Sequence, residues 1–230
     1  MAKKLLAYHN IPTPKWDYLY AIDDEINKEL QYSLIVKPAN TDNSFGITNE
    51  SVVANEEELT RQLKKVITDL GSPALVEEYI EGDEYDVLIL GSEDDDLKVL
   101  PLSRSIFKDM PAQNRHIYTH GTGSLDNGSI AKQGIIIQRP SKNINKKLET
   151  LITEIALDAY NIFDCHDYGS IEIRVDQYDN PYVLELNANP AINLSDCLPE
   201  VAKLTHLDYG DLLEEIINMA IRRYQKNSQK

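Results

Sequence analysis

Two extended runs joined by a short turn place the strongest constraint on this chain. In residues 171–175 three apolar side chains alternate with Glu172 and Arg174, a period of two that is typical of a strand with one buried face. Turn-favouring residues follow at 178–181, and a second extended run covers 183–187. The pattern predicts a β-hairpin with one apolar face and one polar face.

Oxygen ligands gather on the polar side of this predicted hairpin. By the same period, Val183, Glu185 and Asn187 share one face of the second run. If the two runs pair, Asp176 can converge with Glu185 and Asn187, and Arg174 lies two residues farther along the same face. Two carboxylates and an amide oxygen are hard ligands suited to Mg²⁺, which usually also takes substrate phosphates. We therefore expect Asp176, Glu185 and Asn187 to bind Mg²⁺ or Mn²⁺.

The same hairpin resembles the metal-binding hairpin of the ATP-grasp enzymes, and most of all that of the D-alanine–D-alanine ligase branch. The resemblance rests on Arg-Val-Asp at 174–176 and on Leu-Glu-Leu-Asn-x-x-Pro at 184–190. It implies an α+β, ATP-grasp fold, in which two α+β subdomains grip a nucleotide between antiparallel sheets. By itself the hairpin also fits a second interpretation, a solvated acidic face with a core on the other side.

Motifs that match the family's phosphate-binding elements precede the hairpin. Val-Lys-Pro at 36–38 resembles the family's lysine at a strand end, and the polar loop at 39–46 matches the family's phosphate lid. Such a loop offers backbone N–H groups and a hydroxyl to phosphate oxygens. Lys3, nine residues before Pro12, matches another family lysine that contacts phosphate. The resemblance thus implies nucleotide contacts by Lys3, Lys37, Asn43, Ser44 and Gly46, with Lys37 and Ser44 also serving catalysis.

The stretch at 76–84 resembles the family strand that lines the adenine. By this resemblance Glu77 accepts from the adenine amino group, and the backbone around Tyr79 and Ile80 reads the ring edge. Glu84 would hold the ribose hydroxyls, because a carboxylate suits two vicinal hydroxyl donors. Glu78 belongs to the same expected nucleotide-binding strand. The alternative is a group of solvated acidic side chains beside a hairpin.

The resemblance implies an ATP- and Mg²⁺-dependent carboxylate–amine ligase that forms an amide or peptide bond through an acyl phosphate and releases ADP. Arg174 would stabilise the developing oxyanion or hold a carboxylate. Two expected departures from the family pattern, the absence of the family's N-terminal domain and the lack of an equivalent of its loop lysine around 117–120, keep an alternative open, an ATP-binding module that is regulatory or one part of a split enzyme. Asp196 falls where the family has a serine near the second-substrate carboxylate, and a carboxylate there would repel a substrate carboxylate.

Length and the family pattern together predict the domain organisation. The chain has 230 residues, enough for two small subdomains. We expect a small lid subdomain at 1–80 and a large subdomain with the metal site at 81–230, without the family's N-terminal domain. Helices are predicted after the N-cap Asn55, over 144–160 and around 212–220. The irregular segment 108–133 is expected to be functional or disordered.

The net charge argues against nucleic-acid and membrane partners, and the cysteine content argues against a disulfide-stabilised fold. The net charge of −15 disfavours nucleic acid and anionic membranes, since phosphate contact needs clustered Lys and Arg. Two cysteines give no disulfide framework, and neither a signal peptide nor a membrane-spanning run is visible. We expect a cytoplasmic protein that acts on small amino acids or peptides. A homodimer, or a partner chain that supplies the missing domain, would complete it.

Overall fold

The computed structural model describes residues 2–92, 95–107, 109–111, 113–120, 134–194 and 196–228. The helices within these ranges are α1 (Ala2–Tyr8), α2 (Glu56–Lys64), α3 (Lys146–Ile162), α4 (Cys197–Ala202) and α5 (Tyr209–Asn227). The strands are β1 (Trp16–Leu19), β2 (Leu34–Pro38), β3 (Val52–Val53), β4 (Ala74–Glu78), β5 (Asp83–Ser92), β6 (Asp95–Val99), β7 (Ser103–Ile106), β8 (Ile136–Gln138), β9 (Tyr168–Val175) and β10 (Pro181–Asn187). Across the described ranges, no helix combines the length and apolar character that crossing a membrane requires.

The chain forms two compact units, each built from separate segments. The small unit comprises Pro14–Gly82 and Phe107–Ile136, and the large unit comprises Met1–Thr13, Asp83–Ile106 and Ile137–Lys230. The division expected from the sequence has one boundary at residue 80, whereas the chain passes between the units several times. Helix α1 belongs with the large unit because Leu6 and Ile11 pack into that unit's core.

The small unit is an antiparallel sheet covered by one helix. Its strand order is β1-β4-β2-β3. The predicted N-cap is confirmed, since the Asn55 side chain accepts from the Glu58 N–H at 3.0 Å and the Glu58 carboxylate accepts from the Ala54 N–H at 2.7 Å. The helical segment ends before Gly71, whose φ of +65° favours glycine. Apolar side chains of the sheet and helix form this unit's core, among them Leu34, Val36, Leu59, Leu63 and Val76.

The large unit carries the longer sheet, with core on both of its faces. The strand order is β10-β9-β5-β7-β8, and β6 also pairs with β5. Tyr85, Val87 and Ile89 of β5 pack towards α3. Leu88 and Leu90 point to the opposite face, where α4 and α5 cover them. At the Asp83–Asp86 end of this second face, polar residues take the place of the apolar side chains that pack against the helices. A functional site can therefore lie at that end.

A β-bulge in the β9–β10 hairpin reverses the alternation expected from the sequence. Val183 pairs with Ile173, but Glu185 pairs with Glu172, so Leu184 is the extra residue. Val183 therefore points into the core, whereas Glu185 and Asn187 point to the polar face. The expectation that Val183, Glu185 and Asn187 share one face is wrong, because one added residue moves every later side chain to the other face.

Other predicted elements are present with shifted bounds. The predicted helices at 144–160 and around 212–220 correspond to α3 and α5. Pro101 lies between β6 and β7, where a residue without a backbone N–H interrupts the sheet ladder. The predicted irregular segment at 108–133 lies in part outside the described residues.

Candidate active site

A row of polar side chains crosses the large sheet on the face opposite α3. Ser103 of β7 pairs with Asp86 of β5, Asp86 with Glu172 of β9, and Glu172 with Glu185 of β10. Directly paired residues of antiparallel strands project from the same face, with Cβ atoms about 5 Å apart. Carboxylates in adjacent positions repel one another, and a positive charge beside the row relieves that repulsion.

Asn187 extends this row along β10, but Asp176 does not join it. Asn187 pairs with Ser170, two positions beyond the Glu172–Glu185 pair. Asp176 lies at the opposite end of the hairpin, four residues from Glu172, or about 13 Å along an extended strand. Its carboxylate accepts from the Tyr178 N–H at 2.8 Å and from the Asn180 N–H at 2.9 Å. The expected convergence of Asp176 with Glu185 and Asn187 is therefore absent, and Asp176 shapes the turn instead.

Hydrogen bonds within this turn hold the Asp176 carboxylate in its ionised form. The side chain and backbone of Asn180 and the Tyr178 N–H lower the pKa of Asp176 against the opposing effect of partial burial. A short carboxylate that closes an Asx-type turn is a common stabilising element of hairpins. An aspartate at position 176, which the sequence pattern offers as a metal ligand, is thus explained by its role in closing the turn.

Arg174 forms a buried ion pair on the polar face. Its guanidinium lies 2.8 Å from the Glu84 carboxylate, and the two side chains are 5% and 9% exposed. The two residues are cross-strand partners in β9 and β5. Because Arg174 and Glu84, both expected in the site, form an ion pair with each other, Arg174 holds the Glu84 carboxylate in a fixed orientation in this structure.

Arg139 partly neutralises the carboxylate row at its β7 end. Its Nε donates to the Ser103 hydroxyl at 3.2 Å, and its guanidinium pairs with Glu200 of α4. Burial, together with the negative charge of Glu84, raises the pKa of Asp86 to about 6, while Arg139 and Ser103 oppose this rise. Asp86 and Arg139 were not anticipated from the sequence, because only the tertiary structure brings Asp86 beside Glu172 and Arg139 beside Ser103.

Both cysteine thiols are poor nucleophiles in the folded protein. Burial raises the pKa of Cys165, and burial beside Asp86 raises the pKa of Cys197 to about 12. Both cysteines are free thiols. Neither forms part of a thiol-based catalytic arrangement, since reactive cysteines need a lowered pKa.

At pH 8 we expect iodoacetamide to label Cys197 at least about a hundredfold more slowly in the native chain than in urea, and to label Cys165 more slowly as well, because the thiolate is the reacting species. The measurement is intact-mass spectrometry over time, with Cys165→Ser and Cys197→Ser variants to assign each thiol. Native labelling of Cys197 at the rate of the unfolded chain would contradict the raised pKa.

In the small unit, Lys37 and Glu77 form a second ion pair between neighbouring strands. The Lys37 Nζ lies 2.7 Å from the Glu77 carboxylate, with the side chains 20% and 1% exposed. Strands β2 and β4 hold them near the same end of the sheet, since Ile35 pairs with Glu77. The structure thus brings together two residues that the sequence assigns separately to phosphate and adenine.

The expected phosphate loop is a compact pair of turns. The Phe45 N–H donates to the Asp42 carbonyl at 2.9 Å, and the Ile47 N–H donates to the Ser44 carbonyl at 3.0 Å. Asn43, Ser44 and Gly46 all have positive φ, at 53°, 55° and 80°. A loop of successive turns can present its remaining backbone N–H groups to an anion.

We expect Gly46→Ala to destabilise the chain by about 2 kcal/mol, because a Cβ at φ +80° would lie 2.7 Å from Leu70 Cδ1 and 2.8 Å from Pro38 Cγ. The matched control is Gly71→Ala, where φ is +65° but no atom lies within 4 Å of the added Cβ. The control should cost about 1 kcal/mol of backbone strain alone. Equal urea midpoints for the two variants would show that the contacts around Gly46 are unimportant.

The segment around Tyr79, which is expected to line the adenine, contacts the stretch at 116–120. The Tyr79 hydroxyl accepts from the His116 N–H at 3.2 Å, and His116 also pairs with Glu81. The His120 N–H donates to the Ile47 carbonyl at 2.9 Å, which places this segment beside the phosphate loop within the small unit. Glu78 accepts from the Gln31 N–H at 3.1 Å, and Ile80 is half-buried.

Lys3 lies inside the large unit rather than on its surface. It is 3% exposed, and its Nζ donates to the Thr13 hydroxyl at 2.8 Å and to the Val183 carbonyl at 3.1 Å. These contacts tie α1 to β10. The phosphate contact expected for Lys3 stays a prediction, and these internal contacts give Lys3 a structural role.

The chemistry of the large sheet's polar face fits a divalent cation. Across the part of the chain that the structure describes, no group of three or more His, Cys, Asp and Glu side chains lies close enough to hold a metal. A metal here would therefore take Glu172, Glu185 and the Asn187 amide oxygen, with nucleotide phosphates completing the shell. The Asn187 Oδ1 already accepts from the Asn189 N–H at 3.0 Å, but an amide oxygen has a second lone pair.

Comparison with known proteins assigns these elements to a family. The family model described as "D-ala D-ala ligase C-terminus" matches residues 5–218. The chain belongs to this ligase family. Most of both units, including the row from Asp86 to Glu185 and the loop at Gly46, lies within the matched range, so the ATP-grasp resemblance is confirmed.

Individual members of the family match nearly the whole chain. A protein from Sinorhizobium fredii, y4sG, is 28% identical over 230 residues, which cover 99% of this chain and 63% of that protein. A D-alanine–D-alanine ligase from Pelotomaculum thermopropionicum is 24% identical over 95% of this chain and 66% of its own length. The chain therefore spans slightly less than two thirds of these two relatives.

A solved ligase structure confirms the α+β, ATP-grasp fold. The D-alanine–D-alanine ligase from Bacillus anthracis complexed with ATP superposes with a TM-score of 0.75 at 25% sequence identity. The match covers 98% of this chain and 67% of that one.

Glu172 is the residue that sequence reasoning missed on the ligase family's metal-binding hairpin. The alternation in 171–175 indicates that Glu172 lies on the polar face, but it equally suggests an ordinary solvated position. Only the bulge at Leu184 brings Glu172 opposite Glu185 rather than Leu184. A carboxylate on the polar face of the strand that precedes a Leu-Glu-Leu-Asn run is the signal that could have identified it.

Proposed function

We propose that this chain is the ATP- and Mg²⁺-dependent catalytic part of a carboxylate–amine ligase that forms an amide or peptide bond. The observation that carries the proposal is the direct pairing of Glu172 with Glu185, with Asn187 two residues farther on the same polar face. The family and the likeness to an ATP-bound ligase structure support it. Since the chain spans only part of its relatives, its activity by itself is a proposal.

Glu172, Glu185 and Asn187 would hold Mg²⁺ or Mn²⁺, and Asp176 leaves the proposed set because of its place in the turn. When bound, the metal would neutralise phosphate charge and orient the γ-phosphate. The large unit would also supply Glu84 for the ribose hydroxyls. Arg174 would fix the Glu84 carboxylate, and the oxyanion role first expected for Arg174 would require its guanidinium to leave Glu84.

The small unit would contribute phosphate and adenine contacts. Lys37 carries the positive charge that phosphates need, and its partner Glu77 would hold it extended until a nucleotide competes for it. Backbone N–H groups of the loop at 43–46 and the Ser44 hydroxyl would donate to phosphate oxygens. Backbone groups at Tyr79 and Ile80 would read the adenine edge, with the Glu77 carboxylate accepting from its amino group.

The proposed reaction has two substitutions. An oxygen of the substrate carboxylate attacks the γ-phosphorus, the bond to the bridging oxygen breaks, and ADP leaves with that electron pair. The amine nitrogen then attacks the carbonyl carbon of the acyl phosphate, loses a proton and expels phosphate. Catalysis would come mainly from positioning and charge neutralisation.

D-Alanine is the first substrate to test, because it is the substrate named for the relatives. The part of the proposed site that would bind the acceptor substrate carries a negative charge, unlike a site that binds a carboxylate. The Asp196 carboxylate accepts from the Asn193 N–H at 2.6 Å beside α4. A fixed negative charge there disfavours an acceptor that carries a carboxylate, so amines and carboxamides belong among the test compounds.

The test is ADP release from Mg²⁺-ATP in the presence of pooled D- and L-amino acids, dipeptides and simple amines. Release that depends on one pool supports the ligase and begins to define its substrates. An ATP-dependent rise in melting temperature without ADP release would support the alternative, a binding module or one part of a split enzyme. Absence of both signals would refute nucleotide binding.

The two free cysteines support the cytoplasm as the proposed location.

A further inference from the structure

The large unit carries a fixed positive charge at one end of its carboxylate row. The Arg139 Nε donates to the Ser103 hydroxyl of β7 at 3.2 Å, and the Arg139 guanidinium forms an ion pair with Glu200 of α4. The Arg139 side chain is 16% exposed. Because partners on two separate elements anchor the guanidinium, its charge stays at the β7 end of the row.

The charge of Arg139 reaches this row, whose carboxylates belong to Asp86, Glu172 and Glu185, through Asp86. Ser103 pairs directly with Asp86 across β7 and β5, so the guanidinium held by Ser103 lies beside the Asp86 carboxylate. Burial raises the pKa of Asp86, and so does the negative charge of Glu185, whereas the positive charge of Arg139 lowers it. The ionisation of Asp86 therefore depends on charges at both ends of the row.

The same positive charge opposes the binding of a divalent cation farther along the row. Strands β7, β5 and β9 are neighbours, and adjacent strands lie about 4.8 Å apart, so Arg139 lies roughly 10 Å from a metal ion between Glu172 and Glu185. At this separation, repulsion by a unit charge lowers the affinity for a divalent cation about fourfold in water, and by more in a partly buried site. Removal of Arg139 is therefore expected to tighten metal binding.

We propose that Arg139 weakens the affinity of the carboxylate row for a bare divalent ion, so that the row binds the ion firmly only together with nucleotide phosphates. This inference rests on the proposed function, because Glu172, Glu185 and Asn187 must first form the metal site. Mg²⁺ usually takes substrate phosphates as ligands, so the nucleotide supplies the negative charge that Arg139 offsets. Arg139 is a positioning residue, since it acts through the row.

Such a device links metal binding to nucleotide binding. By thermodynamic linkage, the factor by which a nucleotide tightens metal binding equals the factor by which the metal tightens nucleotide binding. With Arg139 in place this factor is large, because the row by itself is a weak metal site. Loss of Arg139 strengthens the row by itself and reduces the factor.

Titration of the purified chain with Mn²⁺ at pH 8, with free Mn²⁺ measured by electron paramagnetic resonance, tests the proposal. Asp86, with a pKa of about 6, is ionised at this pH. We expect Arg139→Gln to lower the dissociation constant for Mn²⁺ at least about fivefold without nucleotide, and by a smaller factor with ADP present. A loss of structure would weaken metal binding, so a merely structural role of Arg139 predicts the opposite sign.

Two control variants separate the position of the charge from its mere loss. Arg139→Lys keeps the positive charge and should bind Mn²⁺ within about twofold of the native chain. Arg104→Gln is the matched control, because Arg104 also forms an ion pair, with Asp83, but projects from the opposite face of β7 to Ser103. It too should bind Mn²⁺ within about twofold of the native chain.

A double variant with Asp86 measures the effect of Arg139 even if Arg139→Gln alone is unstable. Asp86→Asn removes one negative charge and should raise the dissociation constant for Mn²⁺ at least about fivefold. The double variant Arg139→Gln with Asp86→Asn removes two opposite charges together, and it should bind Mn²⁺ at least about fivefold more tightly than Asp86→Asn. Circular dichroism shows whether each variant retains its fold.

The outcomes distinguish this inference from the proposed function. If Glu185→Gln abolished Mn²⁺ binding but Arg139→Gln bound Mn²⁺ with native or weaker affinity, the metal site would stand and the role of Arg139 would be refuted. An effect of Arg104→Gln as large as that of Arg139→Gln would also overturn the inference. If the native chain bound no Mn²⁺ with or without ADP, the proposed metal site would fail, and the inference with it.

Discussion

Glu172→Gln is expected to lower Mg²⁺-dependent ADP release by at least about a thousandfold, while the chain remains folded. The substitution keeps the shape of the side chain but removes one of the two charges that face each other on β9 and β10. A metal held by Glu185 and Asn187 alone would bind more weakly and leave phosphate charge uncompensated. Steady-state ADP release at several Mg²⁺ concentrations measures the effect. Titration with Mn²⁺, followed by electron paramagnetic resonance, reports metal binding independently of turnover.

Asp176→Asn is the matched control, since it alters a carboxylate on the same hairpin at the turn end. An asparagine oxygen can still accept from the Tyr178 and Asn180 N–H groups, so the turn should persist. We expect turnover within about threefold of the native chain and a small loss of stability. The opposite result, loss of metal binding in Asp176→Asn but not in Glu172→Gln, would return the metal site to the set expected from the sequence.

Arg174→Met should destabilise the large unit by about 3 kcal/mol, because it leaves the Glu84 carboxylate buried without its cation. For a chain of this size the loss corresponds to a fall of roughly 6–12 °C in melting temperature. Differential scanning calorimetry is the measurement. The same variant should weaken ATP binding, since Glu84 loses the group that orients it.

Two further variants separate the burial of this pair from its charge. In the double variant Arg174→Met with Glu84→Leu, much of the lost stability should return, because no unpaired charge remains in the interior. Lys98→Met breaks the Lys98–Glu215 pair, whose side chains are 46% and 25% exposed, and should change stability by less than about 0.5 kcal/mol. If Lys98→Met and Arg174→Met had equal effects, burial would not be the reason for the loss.

Local sequence signals identified much of the structure of the segments that are proposed to bind nucleotide. The strand ending at Lys37, the polar loop before Gly46 and the strand carrying Glu77 are all present in the small unit. Each depends on interactions between near neighbours in the chain, such as a turn that needs positive φ. What the sequence did not indicate is that Lys37 and Glu77 form an ion pair, because their strands are forty residues apart.

The sequence by itself determined the family, the hairpin and the polar character of the hairpin's outer face. These features follow from alternating side chains, turn residues and short motifs, all of which act over a few residues. The tertiary structure alone decided which carboxylates meet. The bulge at Leu184 shifts β10 by one residue, and pairing with β5 adds Asp86 to the row. Since Glu172 and Asp176 are four residues apart and lie on the same face of the strand, periodicity could not distinguish which of them is the partner of Glu185, and only the register does.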